Sequence, residues 1–461
     1  MAAHRFQPTM WLMALPMAWG ALLVWLFGVN QVFWDEWRVV EMLKAFRDSG
    51  IDWSALFSQH NEHRFVLPRI VLMASGLLTG YNTVIQMYIG QAVVLATYLL
   101  YLGYLRQAND RERPGLPANW RQGAVVLAVG LAGYNTKQYE NFLMGFQVGF
   151  LLVLFFAVAA FYAFSRTLSG ASRRYDVLAI VAGVAASLSV MHGLLVWPVG
   201  LVAMLGLWLS GEKKPVRRGL PFLACGALVW ALYFVGYQKP VSHPAMLGRG
   251  VVQTAGYFFA SLGSIAAARY AWLAVPMGLL VFATVAVAFG HLWRARRLRD
   301  NLFPVCLILF AFAAAAAAAV GRAGLKDGVA GAMTSRYASF NLLVYIALLL
   351  MAYREYPRCA AQSIGVRRAA GICLGLLGLW TLGLVGANVF YLAPCREWRD
   401  ARRANVETTR NYRQAAWAEL QTVGPWLDAE QARASIAILD EYEWSVFAVQ
   451  TGPPAAKFPG M

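Results

Sequence analysis

The sequence predicts an all-α protein whose helices form a polytopic membrane bundle, and three observations lead to that fold class. Hydrophobic residues make up 59% of the 461 residues, whereas charged residues make up only 14%. The apolar residues fall in blocks of roughly 16–24, the length that a helix needs to cross a ~30 Å hydrocarbon core. Basic residues gather in short loops between those blocks, as they do on the cytoplasmic side of membrane proteins.

About eleven apolar blocks are predicted to cross the membrane as helices. Two further stretches, 65–80 and 251–268, are short or interrupted, and we expect them to lie at the outer surface or to re-enter the membrane. This count places the N-terminus in the cytoplasm and the C-terminus in the periplasm. The predicted spans are 10–29, 83–105, 123–138, 145–165, 176–191, 194–210, 219–237, 271–293, 302–320, 337–353 and 369–392.

Short basic loops fix the predicted orientation and explain the net charge of +17. A nucleic-acid-binding protein would gather its basic residues on one face together with aromatic residues, so nucleic acid is excluded as a partner. Residues 1–392 are predicted to form the membrane domain, and 393–461 a small periplasmic region. The loops predicted to be cytoplasmic are 106–122, 166–175, 211–219, 294–300 and 354–368.

The long first outer loop, 30–82, begins with two adjacent acids, Asp35 and Glu36, which are flanked by tryptophans. Acids at the exit of a membrane helix are costly unless they have a role. Either one can act as a general base towards a hydroxyl group. The alternative is an interfacial loop with tryptophan anchors and solvated acids. The amphipathic stretch 38–48 that follows suits a helix in the headgroup plane.

Further polar side chains are predicted to contact a substrate at the outer surface. The segment 60–64 lacks the spacing of the HExxH zinc motif and shows no third ligand, so it favours a hydrogen-bonding rim over a metal site. For each of these residues a structural cap is the competing interpretation. The candidates are His60, Glu62, His63, Arg64, Tyr139, Glu140 and His192.

Cations in the predicted outer segments run against the usual charge bias and indicate an anionic ligand. Arginine suits phosphate because its guanidinium group donates in a planar fork. Arg336 begins a predicted span, where helix-end amides add to the attraction for an anion. Lys239 and Arg249 are the further candidates for phosphate binding. The competing interpretation is that these side chains snorkel to lipid headgroups.

The acidic pair, the stretch 38–48 and the non-crossing segment 65–80 together resemble the GT-C superfamily of integral-membrane glycosyltransferases. That superfamily includes protein mannosyltransferases and lipid A aminoarabinose transferases. Segments 138–147 and 335–337 are similar to those of bacterial membrane proteins placed near the same group. The chain lacks the Pro-Pro motif of the named subfamilies and has His-Asn-Glu-His-Arg at 60–64 instead.

The resemblance implies an enzyme of the bacterial inner membrane whose site faces the outside. Its donor would be a sugar on a polyprenyl phosphate, and its acceptor an envelope glycan, lipid or protein. Asp35 would deprotonate or position the acceptor, with Glu36 as its catalytic neighbour, and the sugar would transfer with inversion. Arg336, with Lys239 or Arg249, would hold the leaving phosphate. A divalent cation at Asp35 and Glu140 stays an open alternative.

Two other classes of membrane enzyme or carrier compete with this interpretation. An O-antigen ligase or polymerase would rely on cations in a later outer loop, for which 238–270 is the candidate. A transporter or flippase of envelope lipids would need charged groups at mid-membrane, whereas the predicted spans are nearly free of charge. A scaffold without catalytic activity is the third alternative.

Overall fold

The computed structural model of the chain describes residues 9–112, 120–240, 250–267, 270–325, 327–425 and 427–448. Within these ranges the chain is almost wholly helical, which confirms the predicted fold class. In chain order the α-helices are α1 (Thr9–Phe27), α2 (Glu36–Ser49), α3 (Trp53–Phe57), α4 (Val66–Thr79), α5 (Thr83–Glu112), α6 (Trp120–Gly133), α7 (Tyr139–Phe142), α8 (Val148–Leu168), α9 (Arg174–Ser187), α10 (Val196–Leu209), α11 (Lys213–Tyr233), α12 (Val251–Gly263), α13 (Ala271–Arg294), α14 (Leu302–Arg322), α15 (Ala338–Ala360), α16 (Ile364–Phe390), α17 (Leu392–Arg410), α18 (Trp417–Val423) and α19 (Ala429–Glu441).

Short elements lie between the helices, mostly at one end of the bundle. Two strands of two residues each, β1 (Gln59–His60) and β2 (His63–Arg64), form an antiparallel hairpin. Single turns of 3₁₀ helix connect or extend the α-helices, at Thr136–Gln138, Gly145–Gln147, Met191–Leu195, Gly328–Met333, Ser335–Tyr337 and Ser445–Phe447.

Each predicted span coincides with a helix, although several bounds differ from the prediction. The end of the span 123–138 is a correction: α6 stops at Gly133, and the Asn135 side chain accepts the Lys137 N–H (3.0 Å) to cap a 3₁₀ turn. By length and composition, the described chain has seven segments able to cross a membrane, and the number of crossings stays a prediction. These segments are Thr83–Gln107, Gly145–Leu168, Met191–Leu209, Ala271–Arg294, Leu302–Arg322, Ser335–Ala360 and Ile364–Arg410.

The bundle has a central helix and lipid-facing outer helices. In the segment Ser335–Ala360, 89% of the most apolar stretch is buried, against 22% in Ala271–Arg294. α15 therefore lies at the centre, where it packs against α14, α6 and α16. α13 instead exposes large apolar side chains such as Leu280, Phe282 and Val287. An apolar exposed surface of this kind is what a helix in contact with lipid tails requires.

The two ends of the bundle differ in charge. At one end, salt bridges join neighbouring helix ends and loops, as in Arg218–Asp176 (3.0 Å) and Arg299–Glu212 (3.1 Å). We call this the basic end, and the positive-inside rule predicts that it is cytoplasmic. The opposite end, which we call the site end, holds the first long loop and the segments 134–147, 188–195 and 323–337.

The first long loop contains the helices that the sequence predicts for it. α2 buries Val39, Val40 and Leu43 and exposes Arg38 and Arg47, which matches the predicted amphipathic stretch. α4 has 14 residues and is an apolar helix shorter than the seven segments able to cross a membrane. At a rise of 1.5 Å per residue it is about 21 Å long, less than the hydrocarbon core.

The C-terminal helices pack on α2 at the site end. The indole N–H of Trp37 donates to the Val423 carbonyl (3.2 Å), and the Ser435 hydroxyl donates to Glu41 (2.9 Å). The Tyr442 hydroxyl donates to Asp48 (2.7 Å). α17, α18 and α19 therefore form a cap over the first loop.

Replacing Trp37 with alanine should loosen this cap. Trp37 is 1% exposed, so Trp37→Ala should lower the free energy of unfolding by about 3–5 kcal/mol. The change is measured as the thermal midpoint of the purified protein, together with protease cleavage in α18. Trp53→Ala is the matched control because Trp53 is 63% exposed. Equal effects of the two substitutions would contradict this packing.

Candidate active site

Glu36 anchors the first loop to the interior of the bundle. Its carboxylate is buried and accepts two backbone N–H groups, from Phe33 (2.8 Å) and from Phe146 (3.0 Å). Burial raises the pKa of Glu36 to about 7, although the two backbone hydrogen bonds oppose this shift. Gly145 allows the Glu36 carboxylate to approach the backbone closely, because a Cβ at position 145 would lie 3.1 Å from a Glu36 carboxylate oxygen.

Asp35 faces a different environment from its neighbour. The preceding residue, Trp34, has φ +55°, a left-handed conformation that is rare for a bulky side chain. The Asp35 side chain is 28% exposed, and its Oδ2 lies 3.7 Å from Nε2 of His60. Among the described residues, no lysine or arginine lies within ion-pair distance of Asp35. The two adjacent acids are thus separated into a buried anchor and an accessible carboxylate.

The hairpin brings two histidines together beside Asp35. His60 and His63 are opposite each other across a tight turn, where Asn61 takes the left-handed conformation (φ +49°) that such turns favour. Nδ1 of His63 accepts the Met191 N–H (3.2 Å), so its proton sits on Nε2, 3.7 Å from Glu62. Burial lowers the pKa of His63 to about 4, which keeps the ring neutral at neutral pH.

Two arginines complete the arrangement. Nη2 of Arg322 lies 2.6 Å from Oε1 of Glu62, and Nη1 of Arg336 lies 3.7 Å from Oε2 of Glu140. Both guanidinium groups lie over the Tyr337 ring, at 5.7 and 5.6 Å from its centroid. Arg336 also lies 5.8 Å from the Trp34 ring centroid. These contacts connect the arginines to the first loop. We call the whole set the acid–arginine cluster: Asp35, His60, Glu62, His63, Glu140, Arg322 and Arg336.

Several predicted site residues lie next to this cluster. The Tyr139 ring is 5.9 Å from that of Trp398, and burial raises the pKa of its hydroxyl to about 12. His192 stacks on Phe340, with ring centroids 4.8 Å apart. Burial also raises the pKa of Glu140, opposed by the nearby Arg336 charge.

Of the other predicted residues that the structure describes, Arg64 and Lys239 lie outside the cluster. The Arg64 guanidinium donates to the backbone carbonyls of Phe57 (3.2 Å), Tyr233 (3.3 Å) and Val235 (2.6 Å), which ties the hairpin to α11. Lys239 is exposed in the segment after α11, and Arg249 lies outside the described residues.

Arg402, on α17, is a site residue that sequence reasoning missed. Its guanidinium carbon lies 3.4 Å from the Phe33 ring centroid and 5.0 Å from that of Trp398. Nε and Nη1 are buried and donate to no acceptor among the described residues. The cationic group lies near enough to Glu36 to stabilise its ionised form. The sequence feature that could have indicated Arg402 is its position four residues after Trp398, about one helical turn, in a basic helix.

No metal-binding geometry appears in the part of the chain that the structure describes. No group of three or more His, Cys, Asp or Glu side chains there is arranged to hold an ion.

Comparison with known proteins gives a distant likeness. No protein-family model matches the chain, and no curated protein matches it. Among solved structures, the chain is similar to ArnT from Cupriavidus metallidurans, in a crystal structure bound to undecaprenyl phosphate. The alignment covers 89% of this chain and 82% of that one, at 16% identity and a TM-score of 0.47. An identity of 16% is too low to equate individual residues.

The raised pKa of Glu36 has a consequence for stability. Because the folded protein binds this proton more tightly than the unfolded chain does, its stabilising effect is lost as pH rises from 4.5 through about 7. The size is about 3 kcal/mol, from 1.36 kcal/mol per pKa unit. His63, whose pKa is lowered, contributes with the opposite sign below about pH 6.5.

Thermal midpoints measured from pH 5 to 8 should therefore respond to Glu36→Gln. The variant should lose the decline in stability between about pH 5 and 7.5 that the carboxylate produces, and should be less stable overall because one backbone N–H loses its acceptor. Glu397→Gln, at an exposed position on α17, is the control and should keep the decline. A profile unchanged in Glu36→Gln would refute the assignment.

Proposed function

We propose that this chain is an integral-membrane glycosyltransferase, which moves a sugar from a polyprenyl-phosphate donor to an acceptor of the cell envelope. The observation that carries the proposal is the accessible carboxylate of Asp35, which has no lysine or arginine partner among the described residues. The side chain of its neighbour Trp34 contacts the Arg336 guanidinium group. A glycosyl transfer requires both groups, because a hydroxyl must lose a proton while a phosphate leaves. The resemblance to GT-C enzymes in the layout of the first loop agrees with this activity.

Asp35 is the proposed general base. Its carboxylate is partly exposed, whereas that of Glu36 is occupied by two backbone N–H groups. Glu36 is therefore assigned as a positioning residue that holds Asp35 in place. The acceptor oxygen would lose its proton to Asp35 and attack the anomeric carbon of the sugar. The carbon–oxygen bond to phosphate would break on the opposite face, which inverts the configuration.

Arg336 is the proposed phosphate-binding residue. Its Glu140 partner is 3.7 Å away, beyond hydrogen-bond distance, so the guanidinium donors can turn towards an anion. Contacts with Trp34 and Tyr337 restrict its orientation. A guanidinium in this position would stabilise the negative charge that develops on the leaving phosphate. Lys239 and Arg249 stay as proposed secondary contacts of the same phosphate.

The hairpin and its surroundings are proposed to recognise the sugar or the acceptor. His63 is neutral, and its Nε2–H points towards Glu62. Glu62 is in turn held by Arg322 (2.6 Å). Such linked donors and acceptors suit sugar hydroxyl groups, which both donate and accept hydrogen bonds. His60, Tyr139, Glu140 and His192 are proposed to border the same space. The site is proposed to lie on the periplasmic side of a bacterial inner membrane, and the distribution of the basic loops supports this orientation.

Consumption of the donor tests the proposal without knowledge of the acceptor. Membranes that contain the protein would receive a panel of polyprenyl-phosphate sugars, and release of free polyprenyl phosphate would be followed by mass spectrometry. Asp35→Asn should lower the rate about 10²–10⁴-fold, the usual contribution of a general base. Asp52→Asn should leave it unchanged, because the exposed Asp52 side chain accepts only a local N–H in the same loop.

The outcomes separate the competing functions. Loss of turnover in Asp35→Asn alone, with the protein folded, supports the enzyme and its base. Equal turnover in the native chain and Asp35→Asn removes Asp35 from the mechanism. No turnover of any donor, combined with movement of the lipid between leaflets, would favour a flippase instead.

A further inference from the structure

A polar cavity lies at the basic end, far from the acid–arginine cluster. Its volume is about 200 Å³, enough for several water molecules or one phosphate group. Arg354 on its wall and Arg336 at the site end belong to one continuous helical segment, Ser335–Ala360. They are eighteen residues apart, about 27 Å along the axis. The wall includes Tyr104, Gln107, Arg166, Arg299, Asp300 and Arg354.

The charge of this cavity is mainly positive. Three arginines line the cavity, whereas Asp300 is the one acidic residue among its described lining residues. The Asp300 carboxylate lies 3.5 Å from Nη2 of Arg354 and 3.4 Å from Nη2 of Arg297. Arg299 pairs with Glu212 outside the cavity wall. The acids near the cavity are thus already engaged by arginines.

Arg166 contributes a cation that these acids do not balance. Among the described residues, no carboxylate lies within ion-pair distance of Arg166, and its buried Nε donates to no acceptor. Its guanidinium carbon lies 5.2 Å from the centroid of the Tyr175 ring, a contact that restricts its orientation without neutralising its charge. A buried donor of this kind is costly unless a ligand accepts from it.

The positive-inside rule does not account for this arrangement. That rule concerns basic side chains that stay solvated in cytoplasmic loops. Arg354 is instead 7% exposed, and one of its N–H groups donates to the Asp300 carbonyl. Arg166 belongs to the last turn of α8 rather than to the loop that follows it. The protein therefore directs arginine side chains into a partly open cavity at this end.

We propose that this cavity is a phosphate-binding site, separate from the site of sugar transfer. Guanidinium groups that converge on one space match the oxygens of a phosphate group, to which they donate in a planar fork. The phosphate would come either from the headgroup of an anionic phospholipid in the adjacent leaflet or from free phosphate. Arg166 donates to the phosphate oxygens, and the bound anion balances the Arg166 charge, which no carboxylate among the described residues offsets.

Binding to the full-length protein distinguishes the two sources. The first arm uses nanodiscs of phosphatidylcholine with and without phosphatidylglycerol, and native mass spectrometry reports whether one phosphatidylglycerol molecule is retained. The second arm titrates inorganic phosphate in pure phosphatidylcholine nanodiscs. Its readout is the thermal midpoint, with chloride added to keep the ionic strength constant.

Variants of the cavity wall show whether binding occurs there. Arg166→Gln removes the unbalanced cation and should weaken binding about tenfold or more. Gln107→Glu keeps the shape of the side chain, adds a carboxylate to the wall and should weaken binding similarly, which provides a test if Arg166→Gln does not fold. Arg217→Gln is the control, because Arg217 is exposed at the basic end and does not line the cavity.

Each outcome decides the proposal. A retained phosphatidylglycerol that is lost in the two wall variants and kept in the control supports a lipid headgroup. A phosphate-dependent rise in the thermal midpoint with the same pattern, without a retained lipid, supports free phosphate. Absence of both effects in the native chain overturns the site. An equal loss of binding in Arg217→Gln also overturns it, because the attraction would then come from the general basic surface.

Discussion

The buried carboxylate of Glu36 is the interaction on which the geometry of the site depends. It accepts one N–H from the chain just after α1 and another from the turn just before α8. Glu36 and Phe146 are 110 residues apart in sequence, so this carboxylate ties the start of the first loop to the helical bundle. Loss of the carboxylate would leave two buried N–H groups without acceptors, at a cost of about 1–3 kcal/mol each. The position of Asp35 follows from this anchor.

The charges around the anchor leave one acid available for chemistry. Glu62 is held by Arg322 and Glu140 lies beside Arg336, while burial keeps His63 neutral. Asp35 alone in the acid–arginine cluster combines partial exposure with no cationic partner among the described residues. A carboxylate in this position is suited to take a proton, while a nearby arginine with unused N–H donors stabilises a phosphate. The site therefore divides its acids into structural and reactive members.

Apolar blocks predicted the helices well, because a helix that crosses lipid must be apolar over most of its length. The sequence also allowed Asp35 and Arg336 to be predicted as site residues, since both lie next to the ends of such blocks. The sequence did not predict the different environments of Asp35 and Glu36, because these depend on the left-handed backbone conformation at Trp34. Arg402 was missed because its contact with Phe33 joins residues at opposite ends of the chain. Arg64 stays a predicted binding residue, and its hydrogen bonds to the carbonyls of Tyr233 and Val235 could not be predicted from the sequence.

The central claim is that Asp35 and Arg336 serve one substrate at the site end of the bundle. A cryo-electron-microscopy structure of the full chain in nanodiscs with added polyprenyl phosphate tests this claim most directly. We expect the phosphate to lie within hydrogen-bond distance of the Arg336 guanidinium, with the Asp35 carboxylate facing the same space. A phosphate bound away from Arg336, or an Asp35 side chain directed away from that phosphate, would contradict it.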